Sequence, residues 1–329
     1  MADKPRLKIA IATYGHTRAL KDGSAPIEGV DLDFVEVVPI IGAFRRMVRD
    51  LEFDVCEMAP TTYMIARALG APYIALPIFL MRRFHHGGFV VRPDAGVTVP
   101  KNLEGKKVGV RAYSVTTGVW TRGIFVNEYG LDSSKVTWVV DDEEHVTSLK
   151  LPPNVVHAPE GKSLQSMMKT GEIQAGFTGP AGVGRAGPPI SGWDKAGAGA
   201  SAADTYPELI ADVAQVEADW FRRSGIYPIH GLIVVKDEHV KRHPWLPRSL
   251  MDAFVAAKRP YLEELKAGRS GDAAEDKRYR NFLSLMSDPL PYGMSANRPS
   301  IEALVTYSLQ QKLIPSQPQL DQVFVEIDP

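Results

Sequence analysis

The chain contains a single cysteine, Cys56, so no disulfide bond can form within it. No window approaches the roughly 20 apolar residues that a membrane-spanning helix needs. The first apolar run, Leu7 to Ala12, is interrupted by Lys8 and is too short for the hydrophobic core of a secretory signal peptide. These absences predict a cytoplasmic protein that has no membrane partner.

The charge of the chain is nearly balanced, with a formal net value of −1 at pH 7. This balance disfavours nucleic acids and anionic membranes as partners, because both are bound through an excess of lysine and arginine. The sequence has no HExxH spacing of a zinc protease, and its glycine-rich residues 179–203 lack the Gly-Lys-Ser/Thr ending of a phosphate-binding loop. We therefore expect a small-molecule ligand and neither of these two kinds of site.

Strand-like and helix-like segments alternate along the chain, which is typical of the α/β class. Two stretches, near residues 93–100 and 224–230, have the composition of crossovers between domains. They divide the chain into a discontinuous first domain, residues 1–95 and 229–329, and a second domain, residues 96–228. This pattern predicts a two-lobed fold with a ligand cleft between two α/β domains.

The stretch from Val108 to Gly130 combines a short β-branched strand with a helical pattern. Arg111, Thr116 and Thr117 lie where the predicted helix begins. Free N–H groups at a helix start favour an anion, and an arginine can bind a carboxylate through two parallel hydrogen bonds. We therefore expect a carboxylate site here. The alternative is that the threonines only cap the helix and that Arg111 only pairs with a surface acid.

Polar side chains also follow two strands of the predicted first domain. Tyr14 and His16 lie in the loop after the first strand, and Glu57 ends a later strand. In open α/β sheets, ligands bind beyond the carboxyl ends of the strands. These three residues are therefore candidates for the binding site, although a solvent-exposed loop residue is the more common role for a histidine such as His16.

Two adjacent histidines, His85 and His86, precede another predicted strand. Adjacent residues of an extended chain point to opposite faces, so at most one of the two is expected to face a cleft. A metal-binding pair would need another spacing, which favours a general acid or a hydrogen-bond donor. The alternative is a structural histidine that is paired within the fold.

Further candidates place a polar or aromatic side chain near a strand end or a helix start. They are Tyr113, Arg82, Arg298, Trp120, Thr178 and His230. Trp120 could instead pack on its helix, and Arg298 could cap a helix or bind a neighbouring acid. The acidic run Asp141 to Glu144 is of a kind that usually forms a solvated surface, although Asp141 or Asp142 could face the cleft. Residues 179–203, dense in glycine, alanine and proline, are predicted to form a long loop or lid.

Several stretches, taken in order, carry a family resemblance that runs nearly from end to end. They are Phe84-His-His86, Tyr113-Ser-Val-Thr-Thr117 with Val119-Trp-Thr-Arg-Gly123 and Glu128-Tyr-Gly130, Gly171-Glu-Ile-Gln-Ala175, Tyr227-Pro-Ile-His230 with Pro244-Trp245, and Asp288-Pro-Leu-Pro-Tyr-Gly293 with Ala296-Asn-Arg-Pro299. No single stretch is diagnostic, but their order and spacing together are fairly specific. The sequence resembles the 4,5-dihydroxyphthalate decarboxylases, a cytoplasmic branch of the type II periplasmic-binding-protein fold.

The resemblance implies a carboxy-lyase that converts 4,5-dihydroxyphthalate to protocatechuate and carbon dioxide without oxidation and without a cofactor. On this basis His85 or His86 would deliver a proton to carbon. His16, Glu57 or His230 would act on the hydroxyl groups. The substrate-binding set implied in the same way comprises Tyr14, Arg82, Arg111, Tyr113, Thr116, Thr117, Trp120, Thr178, His230 and Arg298.

Two other functions remain open at this point. The same fold is mostly used to bind solutes, so the chain could bind an aromatic acid or another small anion for a membrane transporter. It could also be a decarboxylase or hydrolase for a related aromatic acid that uses a divalent metal held by a histidine and Glu57. The sequence does not determine the oligomeric state, and a homo-oligomer is one alternative.

Overall fold

A computed structural model describes residues 4–183 and 206–329 of the chain. It divides into two compact units: Met1–Arg83, Ile229–Glu302 and Pro318–Pro329 form the first, and Phe84–Pro228 with Ala303–Gln317 forms the second. Most of the predicted loop or lid at residues 179–203 lies outside the described residues. Among the residues described, no helix is both long enough and apolar enough to cross a membrane.

The first unit is built on a five-stranded sheet whose strand order is β2-β1-β3-β10-β4. Its strands are β1 Arg6–Ala10, β2 Asp31–Phe34, β3 Val55–Met58, β4 Tyr73–Arg82 and β10 Ile229–Lys236. β1 runs parallel to both β2 and β3, whereas β10 is antiparallel to β3 and β4. The carboxyl ends of β1, β2 and β3 therefore share one edge, where the polar loops after β1 and β3 are expected to meet.

The second unit contains another five-stranded sheet, of order β5-β9-β6-β7-β8. Its strands are β5 Phe89–Val91, β6 Lys107–Gly109, β7 Thr137–Val140, β8 Val155–His157 and β9 Ala175–Phe177. The predicted first domain extended to residue 95 and so included β5. In the structure β5 pairs with β9 of the second unit, and Phe89 lies opposite Phe177. A local sequence pattern does not identify this pairing, because the paired residues are far apart along the chain.

Helices cover the sheets of both units. They are α1 Arg18–Lys21, α2 Ile41–Asp50, α3 Pro60–Ala68, α4 Thr116–Tyr129, α5 Leu164–Thr170, α6 Val213–Ser224, α7 Asp237–Arg242, α8 Leu246–Lys266, α9 Ala274–Phe282, α10 Arg298–Gln310 and α11 Leu320–Val323. The helical pattern of residues 206–223 predicts a longer helix, but α6 begins at Val213. The preceding backbone is extended instead, because the Pro207 carbonyl and the Leu209 N–H bond to β5.

The strands that are covered on both faces have almost uninterrupted apolar sequences. All four residues of β3 are buried, and eight of the ten residues of β4 are buried. Buried side chains of β1, β4 and β10 pack with those of α8 in one core of the first unit, where Leu7, Ile78, Ile233 and Phe254 are each 1% exposed or less. Burial on this scale fixes the sheet, and with it the position of the loops at its edge.

We expect a Gly123→Ala change in α4 to destabilise the second unit. A Cβ at this position would overlap the ring of Tyr307, which is buried against the helix. Such overpacking costs about 1–3 kcal/mol, whereas alanine gains only about 1 kcal/mol of helix propensity over glycine. Chemical denaturation should show a net loss. In a Tyr307→Ala background, where the overlap is removed, the same change should be neutral or stabilising, and a stabilising effect with Tyr307 present would contradict this packing.

Candidate active site

Glu57, in β3 of the first unit, has surroundings that favour proton exchange near neutral pH. The residue is 1% exposed and accepts hydrogen bonds from the Ala12 N–H at 3.0 Å and the Tyr14 O–H at 2.7 Å. Burial raises the pKa of Glu57 to about 7, and the two hydrogen bonds and the charge of Lys21 offset that effect only in part. Near pH 7 the carboxyl is divided between its charged and neutral forms, as general acid–base catalysis requires.

The loop that carries Tyr14 and His16 is held in place by the buried side chain of Thr17. The Thr17 hydroxyl donates to the Ala12 carbonyl at 2.8 Å and accepts from the Tyr14 N–H at 2.8 Å. A short hydroxyl side chain commonly closes a turn in this way. The rings of Tyr14 and His16 then stack, with centroids 5.1 Å apart and planes 5° apart. Tyr14, His16 and Glu57 therefore form one cluster at the edge of the sheet.

His16 is a buried neutral imidazole and not the solvent-exposed residue of the alternative interpretation. It is 1% exposed, and neither ring nitrogen reaches a hydrogen-bond partner of good geometry among the described residues. Burial and the charge of Lys258 lower the pKa of His16 to about 3, although the Leu80 carbonyl acts in the opposite direction. A neutral imidazole offers one N–H donor and one nitrogen acceptor.

The two predicted arginines of the first unit lie in other contacts. Arg82 is fully buried, and its guanidinium donates to the Asn297 amide oxygen and, at 3.3 Å, to the Ser300 hydroxyl. Arg298 is exposed and lies 3.7 Å from Glu302, one helical turn away. These contacts fit roles in folding and on the surface better than the predicted roles in substrate binding.

In the second unit, the predicted carboxylate site at the start of α4 contains a carboxylate of the protein itself. Glu144 accepts hydrogen bonds from the Tyr113 N–H at 2.6 Å, from the Ser114 N–H at 3.1 Å and from the Ser114 hydroxyl. Sequence reasoning missed Glu144, because an acidic run is usually solvated. Asp141, Asp142 and Glu144 are instead all buried, and so is His145, which was also not predicted.

Arg111 and the two threonines lie around the same helix start. Nη1 of Arg111 is 3.7 Å from Oδ2 of Asp142, and both residues are buried, so the partner of Arg111 is not a surface acid. The prediction that Thr116 or Thr117 caps α4 is wrong. They are its first two helical residues, Val115 precedes them, and no side chain caps the helix.

Arg122, a buried arginine outside the predicted set of site residues, stabilises the loop that precedes α4. Arg122 donates from Nε to the Gln311 side chain at 2.7 Å and from Nη2 to the Tyr113 carbonyl, and its guanidinium lies 4.0 Å from the centre of the Tyr113 ring. Trp120 is also fully buried, with its ring 5.5 Å from that of Tyr307. Both side chains therefore pack within the second unit, and the predicted role of Trp120 as an aromatic wall does not fit its burial.

The histidine pair lies in a loop that is bonded to neighbouring elements of the second unit. The Thr121 hydroxyl of α4 donates to the His85 carbonyl at 2.9 Å. The His86 N–H donates to Glu217 at 3.3 Å, and its ring meets the ring of Trp220 edge-on at 5.0 Å. Both histidines are buried, and burial lowers the pKa of His86 to about 4. His86 is therefore neutral at pH 7.

Thr178 fixes the end of the histidine loop. Its N–H and its hydroxyl both donate to the Gly88 carbonyl, at 2.8 and 3.1 Å. Gly88 has φ +74°, a left-handed conformation that glycine adopts readily. Among the residues that the structure describes, no group of three or more histidine, cysteine, aspartate or glutamate side chains could hold a metal ion.

Comparison with known proteins places the chain among relatives of one kind. No family model matches the sequence. It is 35% identical to a 4,5-dihydroxyphthalate decarboxylase of Comamonas testosteroni over 80% of this chain and 77% of that protein. It is 37% identical to a 4,5-dihydroxyphthalate decarboxylase of Pseudomonas putida over 53% of this chain and 70% of that protein.

The fold is that of the periplasmic binding proteins, as the resemblance implied. A Candida albicans protein described as having the generic periplasmic binding protein fold matches with a TM-score of 0.53, although the sequences are only 12% identical, over 98% of this chain and 97% of that one. A match at this identity shows the fold alone. The family follows instead from the Comamonas relative, which is similar over most of both sequences. The chain belongs to the 4,5-dihydroxyphthalate decarboxylase family.

Proposed function

We propose that this protein is a carboxy-lyase that converts 4,5-dihydroxyphthalate to protocatechuate and carbon dioxide. The observation that carries the proposal is the 35% identity, over 80% of the chain, to a protein named for that reaction. The buried acid–base group Glu57 supports it, since the reaction needs proton transfer near neutral pH.

The chemistry of the substrate defines what the protein must supply. Each carboxylate of 4,5-dihydroxyphthalate lies para to a hydroxyl group, so ionising that hydroxyl pushes electron density onto the carbon that bears the carboxylate. Protonation of this carbon and cleavage of its bond to the carboxylate carbon then release carbon dioxide and restore the aromatic ring. The protein must remove a proton from oxygen, deliver a proton to carbon and hold the carboxylate that remains.

Glu57 is the residue we assign to the hydroxyl proton. A base with a pKa near the working pH is most effective, and the pKa of Glu57 is about 7. The pKa values of His16 and His86, about 3 and about 4, leave both imidazoles neutral at pH 7. They are poor carriers of an exchangeable proton there, so we propose His16 as a hydrogen-bonding group only. His85 stays the predicted proton donor to carbon.

We propose that the start of α4 binds the substrate carboxylate that remains on the product. Arg111 supplies a buried cation, and the first turn of the helix adds the N–H groups of a positive dipole end. Because Glu144 already occupies the N–H groups of Tyr113 and Ser114, the substrate carboxylate would use the guanidinium and the later N–H groups.

The first test is incubation of the purified protein with 4,5-dihydroxyphthalate, with and without a chelator, followed by chromatography of protocatechuate. We expect product in both samples, at equal rates. Product that is lost with chelator would favour the alternative in which a histidine and Glu57 hold a divalent metal. If no product forms but the dicarboxylate raises the melting temperature, the protein binds a solute instead of transforming it.

Two further predictions concern the setting of the reaction. We propose a cytoplasmic location, which cell fractionation with an antibody to the chain would test. A homo-oligomer also stays a prediction, to be checked by light scattering of the purified protein.

A further inference from the structure

The two consecutive arginines at the end of β4 have different surroundings. Arg82, the last residue of the strand, points its guanidinium at Asn297 and Ser300 and is fully buried. Arg83 is partly exposed, and its Nη2 lies 3.0 Å from Nε2 of His230, at the start of β10. Arg83 lies one residue beyond the end of the strand, so the two guanidinium groups contact different elements: the residues around the start of α10 for Arg82 and the start of β10 for Arg83.

The surroundings of Arg83 favour an anion. Its partner His230 is a neutral acceptor, because burial and the charges of Arg83 and Arg278 lower the pKa of His230 well below its usual value. Burial and Arg278 also lower the pKa of Arg83 to about 10, against the weaker opposing effects of Tyr279 and Glu275. A carboxylate bound at this guanidinium would reverse that shift, so by linkage the charged form of Arg83 gains stability when an anion binds.

Arg83 shares its electrostatic neighbourhood with the proposed base. The carboxylate of Glu275 contributes to the pKa shifts of Glu57, Tyr14 and Arg83. Tyr279 likewise contributes to those of Tyr14 and Arg83. The sheet places both residues at one edge: β3 and β4 each run antiparallel to β10, which lies between them, so Glu57 near the end of β3 and Arg83 just after β4 lie at the same edge of the sheet. Glu57 is also next to Gly231, the residue that follows His230, because a Cβ on Gly231 would lie 3.1 Å from Oε1 of Glu57.

We infer that Arg83, held in orientation by His230, is the cation of the first unit that binds a carboxylate of an aromatic dicarboxylate ligand. The inference rests on the proposed function for the identity of the ligand, and it replaces Arg82 in the predicted binding set. Arg83 is a binding residue, because its guanidinium would contact the ligand. His230 is a positioning residue, because its ring nitrogen accepts from the guanidinium and limits its rotation.

The test is a binding measurement with 4,5-dihydroxyphthalate and with its one-carboxylate product, protocatechuate, by titration calorimetry. We expect Arg83→Gln to weaken binding of the dicarboxylate about 10- to 100-fold, the range expected when a hydrogen bond to a charged group is lost. Binding of protocatechuate should change less. Arg6→Gln, which removes an exposed arginine of the same unit outside the predicted binding set, is the matched control and should leave both affinities unchanged.

Variants of His230 test separately whether this residue positions the guanidinium of Arg83 or only stabilises the fold. His230→Gln keeps an acceptor for the guanidinium and should keep most of the affinity, whereas His230→Leu removes it and should weaken dicarboxylate binding with little change in melting temperature. If Arg83→Gln is folded and binds the dicarboxylate as the wild type does, or if the wild type does not bind it, the inference is wrong. If the wild type binds the dicarboxylate in an Arg83-dependent way but forms no protocatechuate, the proposed function fails and the carboxylate site stands.

Discussion

Replacing Glu57 by glutamine should lower the rate of decarboxylation about 100- to 10,000-fold, the contribution typical of one positioned acid–base group. Glutamine has nearly the same shape and can still accept from the Tyr14 hydroxyl or the Ala12 N–H, so the fold should persist. It cannot take a proton from the substrate hydroxyl. Steady-state kinetics should therefore show a fall in kcat with little change in KM.

The pH dependence of the wild-type reaction rate should also show whether Glu57 is the base. If Glu57 acts as a base, its charged form is the active one, so kcat/KM should rise with pH and reach half of its maximum near the pKa of about 7 that Glu57 has in the free protein. Folding stability should change with pH in the opposite direction. The pKa is raised from 4.5 to about 7 in the folded protein, which therefore binds more protons than the unfolded chain and loses stability as pH rises through that window. The glutamine variant should lack this loss.

A matched control is available on the same unit. Glu52 is also a glutamate, but it forms ion pairs with Arg46 and Lys8, away from the proposed site cluster. Glu52→Gln should leave kcat and the pH profile of kcat/KM unchanged. If Glu57→Gln keeps more than a tenth of the wild-type rate, or if both variants lose activity to the same extent, Glu57 is not the base.

Replacing Glu144 by alanine should destabilise the protein by about 3 kcal/mol, within the range measured when one member of a buried charged network is removed. The change leaves the N–H groups of Tyr113 and Ser114 and the Ser114 hydroxyl without the carboxylate that they bond. Burial lowers the pKa of Arg122, and the change also removes a negative charge that offsets this effect in part. Denaturant unfolding measures the loss directly.

The effect on catalysis should appear in KM rather than in kcat. Glu144 positions the loop before α4 but does not take part in proton transfer, so a loosened loop should bind the substrate carboxylate less well. Glu143, the exposed neighbour, is the natural control, and Glu143→Ala should change neither stability nor KM. A Glu144→Ala variant of wild-type stability would show that the loop does not depend on this carboxylate.

The α/β class and the positions of most elements follow from local patterns. β3 and β4 appear in the sequence as apolar runs. The pattern of residues 246–267 likewise predicts a long helix, which is found as α8 at Leu246–Lys266. Such patterns depend on neighbours a few residues away, so they are visible without the fold. The loop containing Tyr14 and His16 and the end of β3 could likewise be placed near a site, because ligand-binding loops follow strand ends.

The partners of the charged side chains could not be predicted in the same way. The contact of Glu144 with Tyr113 joins residues 31 positions apart, and that of Arg83 with His230 joins residues 147 positions apart. Nothing in the local sequence separates Arg82 from Arg83, since their different roles depend on the distant residues that they contact, Asn297 and His230. The burial that shifts the pKa values of Glu57 and His16 is also a product of the tertiary structure.

The position of β10 has a consequence for how the chain reaches this structure. The strand lies between β3 and β4 but is separated from β4 by 146 residues of sequence, nearly all of which belong to the second unit. During synthesis, β3 and β4 emerge from the ribosome long before the strand that joins them. Until then each has an unpaired edge, the kind of surface at which chains aggregate. The first unit therefore completes its sheet only after the ribosome has made all five strands of the second unit.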